Sequence, residues 1–408
     1  PLPGAENNNK PGVKLPALLT VNGELAPITV LECVMRQTSS YAPARKGRCS
    51  VFWGDQIFVP SVGISPSSFP ADILAALRPM PTKAEWEAEE LHQYGLIAVT
   101  PAGSATQLEK VTYDTAMQYL PSDVERVGTS LGSFSLKADL MEALLKEFAP
   151  ELAAKNEAYD SDPHFWMPLT LKQADYVAVM VKKGDTEGQA KKHFQRMANF
   201  RKKFDPSGGP ILACVDVGTN AYWWDYGRLG LYFDNNFLLA TETASAHALR
   251  VFLGLYPHRQ QESKLGTKME VDDGSVLLKC QIADGKIGKG CVLVNVSAPS
   301  VDVEDCILVN VTSPVPITGK GGLLYNVVHE GEEPLTCDKV RADVFMPGDV
   351  HHIINSSQET DGGKAWKITL DGNPLSFEGV YKANQVLDVG ECTGLAMAAH
   401  AATRAKFQ

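Results

Sequence analysis

The segments CVLVNVSAP (residues 291–299), CILVNVTSP (306–314) and GLLYNV (322–327) repeat one pattern, and VLLK (276–279) precedes them as a shorter copy. A repeat of this length has no room for two helices. Short β-branched strands separated by Gly, Asp and Pro instead fit the coils of a parallel β-solenoid. An antiparallel meander whose segments resemble one another by chance is the alternative interpretation.

The middle asparagine of the repeat recurs after 15 and then 16 residues, as Asn295, Asn310 and Asn326. In a solenoid these amides would stack, each bonding to the next coil. We therefore predict at least three stacked coils within Val276–Val328, with the asparagines in register. Inward Val, Ile, Leu and Cys beside a stacked Asn favour an assembly element over an acyltransferase site that uses His329 as its base.

The composition is that of a globular protein, since the 408 residues are 44% hydrophobic and 21% charged. The formal charge of −10 provides no basic surface for nucleic acid, and no apolar run approaches the roughly 20 residues that cross a bilayer. The eight cysteines form no CxxC pair, which is typical of reduced thiols. We expect an intracellular soluble protein of the cytoplasm or the plastid stroma, with no nucleic-acid partner and no membrane span.

Strands alternate with helices over residues 1–256, where the spacing of apolar residues predicts, for example, a helix at Ala26–Tyr41. This alternation indicates an α/β fold with a mostly parallel, doubly wound sheet. The solenoid then occupies residues 257–362. The tail, residues 363–408, carries a strand-like segment at Ala365–Leu370 and an Ala-rich last helix, and either the tail or another subunit must cover the solenoid edges.

Two aspartates follow buried apolar runs beside glycines that permit close approach of a ligand to the backbone. Asp55 follows Gly54, and Asp216 lies in the segment Asp-Val-Gly-Thr that includes Gly218 and Thr219. Two such carboxylates meeting at the mouth of an α/β sheet would hold Mg²⁺ against a phosphate. A strand-end cap without a metal is the alternative role for Asp55.

A predicted strand begins at Tyr94 and Gly95 and is followed by a turn and by the adjacent pair Glu109 and Lys110. The glutamate offers an acceptor for sugar hydroxyls, and the lysine offers a cation for a sugar phosphate. This combination suits a phosphorylated sugar. A solvated surface pair of little energetic consequence is the alternative interpretation.

In this order the G-D, Y-G, E-K and D-x-G-T segments, followed by a solenoid, resemble the sugar-1-phosphate nucleotidyltransferases, also called nucleoside-diphosphate-sugar pyrophosphorylases. The resemblance implies a GT-A-like Rossmann domain followed by a left-handed β-helix. It implies that sugar 1-phosphate and a nucleoside triphosphate, for which we expect UTP, are the substrates, and that Mg²⁺ is bound by the catalytic residues Asp55 and Asp216. The substrate-binding residues would be Gly54, Tyr94, Gly95, Glu109, Lys110, Gly218 and Thr219.

The chain departs from the family pattern at one important point. The family carries a G-x-G-T-R loop that cradles the triphosphate, and no such loop occurs in the sequence. The resemblance therefore implies a nucleotidyltransferase whose activity requires a further N-terminal part. The alternative is a catalytically degenerate relative that serves as a structural or scaffold subunit, with a protein partner or a second copy bound through the solenoid.

Overall fold

The computed structural model describes residues 13–19, 25–39, 41–52, 55–101, 103–154, 162–384 and 389–407. The strands are β1 (Val13–Leu19), β2 (Leu25–Thr29), β3 (Arg48–Phe52), β4 (Gln56–Val59), β5 (Ala71–Ala75), β6 (Arg78–Pro79), β7 (Gly95–Val99), β8 (Ala105–Glu109), β9 (Arg126–Lys137), β10 (Leu212–Asp216), β11 (Tyr222–Asp225), β12 (Gln260–Gln261), β13 (Lys264–Leu265), β14 (Glu270–Val271), β15 (Val276–Leu278), β16 (Gln281–Ile287), β17 (Val292–Glu304), β18 (Ile307–Thr312), β19 (Ile317–Lys320), β20 (Leu323–Val328), β21 (Leu335–Thr336), β22 (Val340–Met346) and β23 (Val350–Ser356). The helices are α1 (Val30–Ser39), α2 (Lys83–Ala88), α3 (Tyr113–Tyr119), α4 (Ala138–Glu147), α5 (Ala149–Ala154), α6 (Met167–Thr170), α7 (Gln173–Lys182), α8 (Glu187–Phe204), α9 (Leu229–Leu238), α10 (Ala244–Phe252), α11 (Phe377–Asn384) and α12 (Val389–Arg404).

These elements form two units, each of which contains discontinuous parts of the chain. The solenoid unit comprises Pro1–Gln37, Gly54–Ile57 and Trp224–Gln408, and the sheet unit comprises Thr38–Trp53 and Phe58–Trp223. The sequence boundary near residue 256 falls inside the solenoid unit.

The sheet unit contains a seven-stranded sheet in the order β10-β5-β9-β7-β8, with β3 and β6 also paired to β9. Strand β5 is parallel to β10, whereas β9 is antiparallel to β3, β5, β6 and β7, and β7 is antiparallel to β8. The pairing of the described strands thus differs from the mostly parallel sheet that the sequence predicted. The reason is that the long strand β9 runs against four neighbours, which the alternation of strands and helices does not reveal.

The helices of the sheet unit contribute to two of its apolar clusters. One cluster contains Leu140 of α4 and Met197 of α8, and the other contains Trp86 of α2 and Tyr176 of α7. Helices α2 and α8 begin at capping boxes, in which Thr82 pairs with Glu85 and Thr186 with Gln189. These caps satisfy backbone N–H groups that have no partner inside the helix, so they fix where each helix starts.

The solenoid unit confirms the β-solenoid, which has about five turns. Parallel pairing joins β15 to β17, β17 to β18, β18 to β20 and β20 to β22. This register stacks Leu277, Leu293, Leu308 and Leu324, all of which are buried in one core. The stacked apolar residues exclude water from the coil interior, which is the main stabilising contribution in such a fold.

The asparagine ladder is confirmed as well. Nδ2 of Asn295 donates to Oδ1 of Asn310 at 2.7 Å, and Nδ2 of Asn310 donates to Oδ1 of Asn326 at 2.7 Å. The three residues have φ angles of 54°, 53° and 55°, in the left-handed region. Asn tolerates this region better than other residues with a Cβ, so one residue type both turns the coil and bonds to its neighbour.

The C-terminal part covers the last coils of the solenoid. Strand β23 pairs antiparallel with β22, and α12 packs against β18, β20 and β22. The Ala-rich last helix is confirmed. The predicted strand at Ala365–Leu370 is wrong, because residues 365–367 form a turn and residues 368–370 have no regular structure. Ala365 and Trp366 pack into an apolar cluster with Phe377 and Val380.

Candidate functional site

The structure brings together the two motifs predicted to bind a sugar phosphate. Strands β7 and β8 are antiparallel, with Gly95 opposite Glu109. The backbone N–H of Lys110 donates to the carbonyl oxygen of Tyr94 at 3.2 Å. The Y-G and E-K segments are therefore neighbours at one end of the hairpin, although 14 residues separate Gly95 from Glu109.

Lys110 has an unfavourable backbone conformation. Its φ angle is 52°, in the left-handed region, and its side chain is exposed. A non-glycine residue pays a free-energy cost of roughly 1–2 kcal/mol in that region. Gly or Asn would avoid most of this cost, and a residue held in this conformation is compatible with a functional role.

The aromatic ring of Tyr94 contacts Trp223 in an edge-on arrangement with ring centroids 5.3 Å apart. Trp223 also packs against the apolar cluster that contains Val217 and Phe58. Tyr94 is thus positioned by the segment that follows Asp216. Trp223 therefore has a packing role in the sheet unit.

The D-x-G-T segment forms a tight turn around the backbone of Leu77. Oδ1 of Asp216 accepts from the N–H of Leu77 at 3.2 Å and from the N–H of Gly218 at 2.9 Å. The hydroxyl of Thr219 donates to the carbonyl oxygen of Leu77 at 3.1 Å. Gly218 has a φ of 93°, so a glycine is required for this turn.

The other carboxylate oxygen of Asp216 pairs with the guanidinium of Arg126, a residue that lies in none of the predicted motifs. The two side chains are 31% and 44% exposed, so solvent screens the pair. Arg126 starts β9 and lies opposite both Val99 and Pro79. Nothing local in the sequence identifies this arginine, because its proximity to Asp216 depends on the strand register.

The two predicted metal ligands belong to different units, Asp55 to the solenoid unit and Asp216 to the sheet unit. Asp55 is 5% exposed, and its carbonyl oxygen accepts from the N–H of Tyr226 at 2.7 Å. Gly54 lies outside the described residues. Within the described ranges no group of three or more His, Cys, Asp or Glu side chains is arranged to hold a metal. Asp216 alone, already bonded on both oxygens, does not fit Mg²⁺ without further oxygen ligands.

A polar cluster in the solenoid unit was also missed. The imidazole of His400 on α12 lies 2.9 Å from the hydroxyl of Thr312 and 3.2 Å from Oδ1 of Asn326. Burial, followed by the field of Arg404, lowers the pKa of His400 to about 4. His400 is therefore neutral near pH 7 and fastens the last helix to the asparagine ladder. Its partners lie more than 70 residues away in sequence, so no spacing could have predicted this contact.

No protein-family model matches the chain, and no curated protein is significantly similar to it. Among the helices of the described residues, none combines the length and the apolar content that crossing a bilayer requires. The nucleotidyltransferase resemblance stays a prediction.

Proposed function

We propose that the chain is a sugar-1-phosphate nucleotidyltransferase-like protein whose sheet unit binds the sugar phosphate. In the proposed reaction a phosphate oxygen of the sugar 1-phosphate attacks the α-phosphorus of a nucleoside triphosphate. The bond between the α-phosphorus and the bridging oxygen breaks, and pyrophosphate leaves. The reaction requires a triphosphate-binding segment in addition to the residues of this chain. We also propose that the sheet unit is related to GT-A-like domains. The solenoid would then be a left-handed β-helix.

The juxtaposition of Gly95 with Glu109, and of Tyr94 with Lys110, carries this proposal. The resemblance requires these four residues to act on one ligand, and the hairpin register places their backbones side by side. The left-handed conformation of Lys110 adds support, since strained residues concentrate at functional sites. We assign Lys110 to the phosphate and Glu109 to sugar hydroxyls.

Asp216 would enter the reaction through Mg²⁺, a role that the resemblance implies. Mg²⁺ in proteins commonly takes one or two carboxylates and completes its coordination with substrate phosphates and water. The ion pair between Arg126 and Asp216 would have to open, or to share its carboxylate, when the ion binds. We therefore expect Mg²⁺ to bind weakly in the absence of a nucleoside triphosphate.

Equilibrium binding of sugar 1-phosphates tests the proposal. Calorimetric titration of the full chain with glucose 1-phosphate and related sugar 1-phosphates should show saturable binding. Lys110→Gln should weaken it about tenfold, because a hydrogen bond to a charged group contributes about 1.5–3 kcal/mol. Lys192→Gln, which alters an exposed lysine of α8 in the same unit, is the control and should change nothing. Absence of binding by every sugar 1-phosphate in the panel, or equal affinity in Lys110→Gln, refutes the assignment.

One observation favours a structural role as the second candidate. The carboxylate of Asp216 already has Arg126 and two backbone N–H groups as partners, an arrangement that holds the turn without any ligand. A scaffold protein would keep this arrangement and use the solenoid to bind a partner or a second copy. Concentration-dependent self-association in analytical ultracentrifugation, together with no sugar-phosphate binding, is the result that this candidate predicts.

A further inference from the structure

An open cleft of about 430 Å³ lies in the sheet unit, and its walls include Lys46, Gly47, Arg48, Ser67, Lys137 and Asp139. Arg48 and Lys137 face each other across the pairing of β3 and β9. The adjoining residue Asp72 lies near the start of β5, whereas Asp216 pairs with Ala75 at the end of that strand. The cleft is therefore at the opposite end of β5 from the D-x-G-T turn.

Positive charge predominates on the walls of the cleft, where the described residues include three basic side chains and one carboxylate. Lys46 is exposed, and Lys137 donates to the carbonyl oxygen of Ser68 at 2.7 Å. Arg48 is held rigidly, since its Nε donates to the hydroxyl of Ser135 at 2.6 Å and its Nη1 to the carbonyl oxygen of Phe69 at 2.9 Å. The lysines can reach a ligand, and the arginine contributes a fixed positive field.

Two further charged side chains, those of Arg45 and Asp72, are buried next to Arg48 in the wall of the cleft. Arg45 is 7% exposed and pairs through Nη1 with the fully buried Asp72, which is also 3.2 Å from Nη2 of Arg48. Among the residues that the structure describes, none accepts a hydrogen bond from the buried Nε and Nη2 atoms of Arg45. Burial, with the repulsion of Arg48, lowers the pKa of Arg45 to about 10. Two buried guanidinium groups thus share one buried carboxylate.

An excess of buried positive charge is unfavourable unless an anion compensates for it. The rim carboxylate of Asp139 compensates only in part, because it lies in solvent and also accepts from the N–H of Leu140 at 2.8 Å. A bound dianion would contact the lysines and offset the field of the arginines. Phosphate carries this charge, and the volume of the cleft leaves room for a small molecule attached to it.

We infer that the cleft bounded by Lys46, Arg48 and Lys137 binds a small phosphate-bearing molecule. This site is separate from the sugar-phosphate position at Lys110 and does not depend on the proposed function. Lys46 and Lys137 donate to the phosphate oxygens, and Arg45, Arg48 and Asp72 form the charged layer beneath them. The ligand is a metabolite rather than a nucleic acid, since the chain as a whole has a formal charge of −10.

Inorganic phosphate is the probe. The full chain is titrated with phosphate against sodium chloride at matched ionic strength, and binding is followed by calorimetry and by thermal unfolding. We expect saturable binding with a dissociation constant of about 1 mM or below, which Lys46→Gln and Lys137→Gln each weaken about tenfold. Lys192→Gln on α8 should bind like the unaltered chain.

The variant Lys110→Gln separates this site from the proposed sugar-phosphate site. In the Lys110→Gln background, which lacks the cation proposed for the hairpin site, saturable phosphate binding should persist, and the double variant Lys46→Gln/Lys137→Gln made in that background should lose it with its circular dichroism spectrum preserved. Both lysines lie outside the buried core, so loss of binding would not reflect unfolding. No saturable phosphate binding, or full affinity in the double variant, overturns the inference.

Discussion

The side-chain amide of Asn295 donates a 2.7 Å hydrogen bond to the amide oxygen of Asn310, which occupies the same place one coil later. Asn310 in turn donates to Asn326, and the amide of Asn326 donates to the backbone carbonyl of Asp343 at 3.1 Å. The ladder therefore continues into β22, the strand that pairs with β23. The side-chain amides of Asn310 and Asn326 each accept from one neighbouring coil and donate to the other, so the central residue, Asn310, makes two hydrogen bonds in the ladder.

Removing the central amide should destabilise the solenoid unit. Asn310→Ala loses both bonds and keeps a Cβ in the left-handed region, so we expect the free energy of unfolding to fall by about 2–4 kcal/mol. Asn310→Gly loses the same bonds but adopts the conformation freely, and should cost less. Urea unfolding of both variants measures the difference. Equal stability of Asn310→Ala and the unaltered chain would contradict the role of the ladder.

The stability of the solenoid unit should depend on pH through His400. Its pKa is about 4 when folded and 6.5 when exposed, so between these values the unfolded chain binds the additional proton. Stability is therefore full above about pH 6.5, and it falls by on the order of 3 kcal/mol as the pH decreases to about 4. Arg404 and His351 oppose protonation of the imidazole, whereas Asp343 favours it.

The variant His400→Gln is the control for this pH effect. It keeps a polar side chain against Thr312 but does not titrate, so its unfolding free energy should change less between pH 7 and pH 4.5. Measurement of both proteins by denaturant unfolding at several pH values separates this contribution from that of other groups. Parallel pH profiles for the two proteins would show that His400 does not carry the dependence.

The lysine at position 110 should lower the free energy of unfolding and strengthen the binding of sugar 1-phosphate. Lys110→Gly removes the left-handed strain, so we expect the protein to become more stable by about 1 kcal/mol. The same change removes the cation and should weaken the binding of sugar 1-phosphate. Lys110→Gln retains the strain and should reduce binding without the gain in stability. If Lys110→Gly is more stable and binds sugar 1-phosphate with unchanged affinity, the lysine at this position has no role in binding.

Gly218 should be more sensitive to substitution than an unhindered glycine of the same unit. A Cβ on Gly218 would lie 2.1 Å from the hydroxyl oxygen of Ser61, whereas one on Gly208 would meet no atom of the described part of the chain within 4 Å. Both residues have positive φ, 93° and 75°. We expect Gly208→Ala to cost about 1 kcal/mol and Gly218→Ala about 2–3 kcal/mol, measured by denaturant unfolding. Equal costs would show that the turn tolerates the contact.

The solenoid was predictable because its pattern is local and repeated. Each coil carries the same apolar residues and one Asn, so the sequence determined the register of Asn295, Asn310 and Asn326 before any contact was known. Strand β7 likewise begins at Gly95 and ends at Val99, where a short β-branched segment lies between turns. The secondary structure of such segments can be predicted without knowing which distant residues they contact.

The remaining features depend on contacts between distant residues. Residues Ala26–Thr29 carry helical spacing but belong to β2, which pairs with β1, so the predicted helix at Ala26–Tyr41 is shorter and begins at Val30. The contact of Arg126 with Asp216 spans 90 residues and follows from the antiparallel placement of β9. No local pattern predicts a pairing of that kind.

Amide hydrogen exchange of the full chain, with and without saturating sugar 1-phosphate, tests the central claim most directly. We predict increased protection of the amides of Tyr94, Gly95, Lys110 and Gly218, both in the unaltered chain and in the double variant Lys46→Gln/Lys137→Gln, in which the cleft no longer binds phosphate. Protection confined to the cleft, or no change at any of these amides, would contradict the assignment of a sugar-phosphate site to the hairpin of β7 and β8.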